Sequence, residues 1–285
     1  MTDRKQLTAS SIETIDLPKA NFLAKVLIRI FNVSGTSPTW STDRIEVIAN
    51  GSSVVWSTRG DQFSRQNRYH YGSQNNKSLD AVAASSGIGS CFFGRTDKDT
   101  VIIFPAKLFR TLQLKLSITI GGTSPVYQYS VIADEWISAD DPGAKLVMKT
   151  VFIEEKAAGA VIKDFDLPLG NLYKQFELFV TTAPTVSVRY TASARINGGA
   201  EIPYAMDYEP GTEENAEVKN LNAEDGGAFA AGEMANDLFI DFDLDGSLGD
   251  VKDSAQYNDF KIRLDPGSND PGITRLVTTE LVRLK

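Results

Sequence analysis

The sequence writes one short motif twice. Asp16-Leu17-Pro18-Lys19-Ala20-Asn21 leads into the apolar run from Phe22 to Phe31, and Asp166-Leu167-Pro168-Leu169-Gly170-Asn171 leads into the run from Leu172 to Val180. Asp-Leu-Pro and the following Asn return at the same internal spacing. Phe22, Val26, Ile28 and Ile30 in the first run, and Leu172, Phe176, Leu178 and Val180 in the second, keep to alternate positions. That period belongs to a strand with one buried face. A fold for this chain therefore has to hold the same unit twice.

Further landmarks recur in the same order. Ile45 to Ala49, then Asn50-Gly51, then Ser53 to Trp56 is answered by Val186 to Tyr190 running on to Ile196, then Asn197-Gly198, then Ala200 to Tyr204. Asn-Gly supplies the two positive φ angles of a type I′ turn, so each pair predicts a hairpin. Leu112-Gln113-Leu114 pairs by eye with Ile262-Arg263-Leu264. Repetition at this scale is the signature of a duplicated structural unit. The expected organisation is a flexible arm over 1–14, a first unit over 15–149 and a second over 150–285.

Between these landmarks the pattern loosens twice. Thr58 to Thr100 is rich in Gly, Asn and Ser, and reads as a long insertion with one short helix from Leu79 to Ala84. Its Phe63, Phe92 and Phe93 are expected to serve contacts with neighbouring molecules. Strands resume at Val101 to Phe104 and at Leu112 to Ile120, parted by Pro105 and a turn of helix, and Val126 to Ile132 closes the first unit. The second loose stretch, Met206 to Asp237, carries many carboxylates against the single base Lys219 and reads as a solvated loop. Helical periodicity is otherwise scarce. The predicted fold class is all-β, two tandem sandwiches or barrels with one or two short helices.

Composition removes several functions. The net charge of −8 lacks the positive face that sequence-specific nucleic-acid binding requires. Arg59, Arg65 and Arg68 with Tyr69, His70 and Tyr71 mix cations and aromatics as single-strand binders do, but a solvated loop over packed rings is the plainer reading. The polar start, Met1 to Gln6, is not a secretory signal. Cys91, the one cysteine, precludes an intrachain disulfide and reads as a small buried hydrophobe. With His70 the one histidine, a two-histidine metal site is excluded and a catalytic triad would have to use this residue. Asp241-Phe242-Asp243-Leu244-Asp245-Gly246 copies the first half of a calcium loop, yet its twelfth position is Lys252 instead of the bidentate Glu. Asp241, Asp243 and Asp245 are thus the metal candidates, and no cofactor or catalytic residue is assigned.

Ile15-Asp16-Leu17-Pro18 opening a strand, Asn50-Gly51, Gly60-Asp61-Gln62, and a closing strand that reaches Trp136 and Asp141-Pro142-Gly143-Ala144-Lys145-Leu146 form a series. This series resembles the double jelly-roll major capsid proteins of tailless icosahedral, membrane-containing bacteriophages. The resemblance covers most of the chain. It implies a non-enzymatic structural protein of the virion, assembled in the host cytoplasm. It further implies a homotrimer acting as a pseudo-hexameric capsomer, with neighbouring capsomers and penton or minor capsid proteins as partners. The arm, through Arg4 and Lys5, would reach an internal viral membrane or a neighbour. A competing reading is a carbohydrate-binding or carbohydrate-active β-sandwich, which would present an exposed aromatic platform from Trp40, Trp56 or Trp136, or a carboxylate pair in a cleft.

Overall fold

The computed structural model describes residues 4–71, 81–82, 86–94, 102–137, 146–182, 190–197, 201–207, 236–243 and 248–283. Two compact units emerge, one of residues 1–151 with 282–285 and the other of residues 152–281. Chain order gives β1 (Lys5–Leu7), β2 (Ser11–Asp16), β3 (Phe22–Ala49), β4 (Ser53–Thr58), α1 (Gly60–Tyr71), β5 (Ala81–Val82), β6 (Ser86–Phe92) and β7 (Leu112–Trp136). It continues with β8 (Leu146–Lys156), β9 (Lys163–Asp166), β10 (Leu172–Val180), β11 (Thr191–Ile196), β12 (Glu201–Asp207), β13 (Asp237–Asp241), β14 (Lys252–Asp253), β15 (Phe260–Asp265) and β16 (Thr274–Arg283).

In the first unit two very long strands do the work of four. β3 runs for 28 residues and β7 for 25, and they pair antiparallel from Phe22↔Trp136 to Ala49↔Leu112. The first half of β3 lies between β6 and the second half of β7, with β1 beyond. The second half of β3 lies between β4 and the first half of β7, with β2 beyond. Register shifts cluster between Asn32 and Thr39, where the ribbon turns from one sheet into the other, as bulges permit. Val26, Ile28 and Ile30 from one sheet meet Ile45, Val47, Leu114 and Leu116 from the other in one core.

The second unit separates those long strands into shorter ones. β8, β16, β10 and β13 form one sheet in that order; β9, β15, β11 and β12 form the other. Their core is more aromatic: the Phe260 ring stands edge-on to Tyr173 (5.4 Å) and to Phe176 (5.7 Å), and Phe176 stands edge-on to Phe242 (5.5 Å). Such edge-to-face pairs add to the area that the rings bury.

The duplication reaches the hydrogen bonds. The Leu17 amide donates to the Leu112 carbonyl at 2.9 Å and the Leu167 amide to Phe260 at 2.9 Å. Asn50 and Asn197 sit at φ 51° and 52°, and Gly51 follows at φ 77°, so both asparagines open their hairpins in the left-handed conformation. Each asparagine also ties its hairpin to a distant strand. The Asn50 amide donates to Thr111 and the Asn197 amide to Asp259, both at 2.9 Å. In return the Asn50 Oδ1 accepts from the Arg110 amide at 2.8 Å and the Asn197 Oδ1 from Asn258 at 3.4 Å. Both units bulge at the same place, between Leu23 and Lys25 and between Tyr173 and Gln175. The bulged carbonyls, Ala24 and Lys174, accept from Phe93 and Phe242.

Several expectations change. Leu112 matches Phe260, so Leu112–Leu114 answers to Phe260–Ile262 and not to Ile262–Leu264; a strand slid by one full period presents the same alternation. The arm is largely strand: β1 pairs with Tyr127–Tyr129 and β2 with Gln113–Ile118 of β7. The helix of the insertion is α1, earlier than Leu79 to Ala84, and Ala81–Val82 pairs instead with Thr39 and Trp40. Phe63 and Phe93 are fully buried in the first core, so they serve this molecule and not its neighbours. Ile102 and Phe104 make only isolated bridges, although the turn of helix after Pro105 is present as a 3-10 turn, Ala106–Leu108. Val186 to Arg189, the Asp141 to Lys145 segment and most of the acidic stretch lie outside the described residues.

Candidate functional site

The calcium-like carboxylates fall on the end of β13, beside the bulge of β10. Lys174, at the bulge, places its Nζ 3.2 Å from the Asp241 Oδ1 and 3.7 Å from the Asp243 Oδ2, with all three side chains almost wholly buried. The Asp241 Oδ1 also accepts from the Asp243 amide (2.9 Å) and the Asp243 Oδ1 from the Leu248 amide (2.6 Å). An ammonium thus stands where a cation would bridge the two aspartates. Ala24 occupies the equivalent bulge of the first unit, so this ion cluster belongs to the second unit alone. Asp245 lies outside the described residues. Among the described residues no group of three or more His, Cys, Asp or Glu side chains is arranged to hold a metal.

Cys91, Trp40 and Trp56 take structural places. Cys91 faces inward on β6 opposite Val26, and burial pushes its thiol pKa well up, which keeps it protonated and inert. Trp40 and Trp56 are buried, and Trp56 stands edge-on to Phe63 at 5.1 Å, so neither offers a sugar platform. Trp136, half-buried, ends β7 opposite Phe22. Of the expected aromatic and cationic cluster, Tyr69 is buried and Arg59 faces Asp61 across 3.6 Å. His70 is on α1, and its side chain lies outside what is described. Beneath α1 a cavity lined by Trp56, Gln66, Asn67 and Phe92 has about 20 Å³ of water-accessible space. That admits one water and falls far short of the roughly 300 Å³ of a small-molecule pocket.

What the architecture positions with care is its edges. Both β2 and β9 are terminal strands of their sheets, and both turn a charged side chain inward at the equivalent position: Glu13 opposite Leu116, and Lys163 opposite Leu264. Glu13 accepts from the Tyr129 hydroxyl at 2.9 Å and from the Lys5 ammonium at 2.5 Å. Burial raises the Glu13 carboxyl pKa, but these bonds outweigh it and hold the group below its ordinary value. Burial and the Glu13 charge together push Tyr129 upward. Lys163 donates to the carbonyls of Ala157 and Gly272, and burial lowers its pKa. The β6 edge is closed differently: the Asn67 Oδ1 on α1 accepts from the Ser90 amide at 2.9 Å, while the Asn67 Nδ2 donates to the Phe63 carbonyl at 2.8 Å. Inward charges and a covering helix are known means of preventing uncontrolled strand addition. No single residue in the sequence announces them; Glu13 and Lys163 become visible only once the repeat is aligned on Leu17 and Leu167.

Two facing four-stranded sheets, repeated in tandem, define a double jelly-roll protein. Solved structures of this build include the major capsid protein of Sulfolobus turreted icosahedral virus, 16% identical over 98% of this chain and 96% of that chain, with a TM-score of 0.66. The major capsid protein P2 of bacteriophage PM2 is 13% identical over 99% and 98%, with a TM-score of 0.65. The Faustovirus major capsid protein is 7% identical over 99% and 90%, with a TM-score of 0.54. At these identities the likeness is one of fold. No protein-family model matches the sequence, and no curated protein sequence matches it.

Proposed function

We propose that this chain is a non-enzymatic major capsid protein of an icosahedral virus. The observation that carries the reading is the duplication of one roll down to its bulge and its asparagine clamp. A chain with two like units, taken three times around an axis, yields six similar units and a tile suited to six-fold positions of a shell. The working form is thus a homotrimeric, pseudo-hexameric capsomer in the virion, assembled in the host cytoplasm, with neighbouring capsomers and penton or minor proteins as partners. Membrane contact through the N-terminal stretch is not part of the proposal: Lys5 is bound to Glu13 and Arg4 lies over the Phe31 ring at 5.3 Å. The burial of Trp40 and Trp56 speaks against the carbohydrate reading. Native mass measurement and negative-stain microscopy test the proposal. Trimers and shells are expected, and monomers alone across micromolar concentrations would overturn it.

A further inference from the structure

The alignment that pairs Glu13 with Lys163 also pairs the residues just before them. Ile12 on β2 is 72% exposed and Ile162, immediately before β9, is 51% exposed, with Val161 beside it at 63%. An isolated exposed isoleucine needs no explanation. The same exposed isoleucine at the equivalent position of both rolls does, because along the strand that follows only Asp16 and Asp166 are also shared, whereas Glu13 answers to Lys163, Thr14 to Asp164 and Ile15 to Phe165. Water does not select for a large apolar side chain; a surface that buries it does.

From this we infer that Ile12 and Ile162 are equivalent anchors for contacts between copies of this chain. The inference rests on the capsid reading and assigns it an interface. A foreign partner of one kind would engage one roll or the other, whereas an assembly of copies lets both rolls meet the same kind of neighbour, so only self-assembly uses the anchor twice. The contact is made by side chains and not by strand addition. Glu13 and Lys163 point inward beside the anchors, and Pro18 and Pro168 follow soon after each strand and supply no amide.

The test compares Ile12→Thr, Ile162→Thr and the double variant with the native chain by sedimentation velocity over a concentration series. Threonine keeps the β-branch that suits a strand while removing the apolar tip. Val33→Thr, at a 51% exposed site on β3, serves as the control, and far-UV circular dichroism with thermal melting follows the fold. The double variant is expected to keep the native melting temperature and to raise the concentration of half-assembly at least tenfold. Each single variant should show a smaller rise, and Val33→Thr none. A double variant that assembles like the native chain overturns the inference and leaves the capsid reading standing, as does an effect confined to one of the two isoleucines. A native chain that never associates overturns both.

Discussion

At Gly89 the missing side chain is what admits Phe63. A Cβ there would lie 2.2 Å from the Phe63 Cε1, and Phe63 is fully buried against Trp56. Gly89→Ala should therefore drive the ring off its site and cost about 1–3 kcal/mol or more, read as a lower midpoint in urea unfolding. Glu13 makes the complementary case for a residue defined by its partners. Its folded pKa lies below the unfolded one, so its contribution is complete at pH values above the unfolded pKa and is lost as the pH falls through the folded one. Glu13→Gln should lower stability by about 1–3 kcal/mol at neutral pH. The gap between variant and native melting temperatures should narrow as the pH is taken towards about 3; parallel curves would count against this account. The Asn-Gly turns were legible in the sequence because that pair dictates its own backbone. The second task of Asn50, holding the Arg110 amide, was not, because its partner is remote in sequence.

Helix α1 carries the same contrast at the scale of an element. Its buried face is formed by Gln62, Phe63, Gln66, Asn67 and Tyr69, too polar for an apolar stripe to reveal its period. The sequence therefore read as an insertion what is in fact the closure of the β6 edge. Strands with clean alternation, such as β10 and β15, were plain; β1 and β2 were hidden because β1 buries only Leu7 of its three residues and the charged Glu13 occupies an inward position of β2 where an apolar residue is expected. Asn67→Ala should free the Ser90 amide, whose hydrogen exchange would then quicken while that of Val26 and Ile28 in the interior of β3 stays slow. Equal protection at Ser90 in both forms would show that the edge is closed by something else.

The two rolls invite the same substitution at equivalent places. Asn50→Gly and Asn197→Gly keep the left-handed backbone and remove only the side-chain acceptor. Each should cost about 1 kcal/mol, the first more than the second, because its bond is 2.8 Å against 3.4 Å. Denaturant midpoints of the two variants give the comparison, and a larger loss at Asn197 would contradict it. The duplication, the all-β class and the exclusion of a two-histidine metal site were available from residue order alone. The inward charges and the register of β15 were not, since both depend on which strands become neighbours, and period-two sequences leave that open.

The β3–β7 ribbon has a consequence for how the chain comes into being. Phe22 finds its partner at Trp136, so the outer end of the ladder cannot close until most of the first half of the chain has left the ribosome. The nascent β3 must wait, unpaired along β7 and with its apolar face uncovered, while synthesis proceeds at about 5–20 residues per second. Loops of that span close slowly and reward closure late. The early chain is therefore the vulnerable species, and holding chaperones should be found on nascent chains that end before β7.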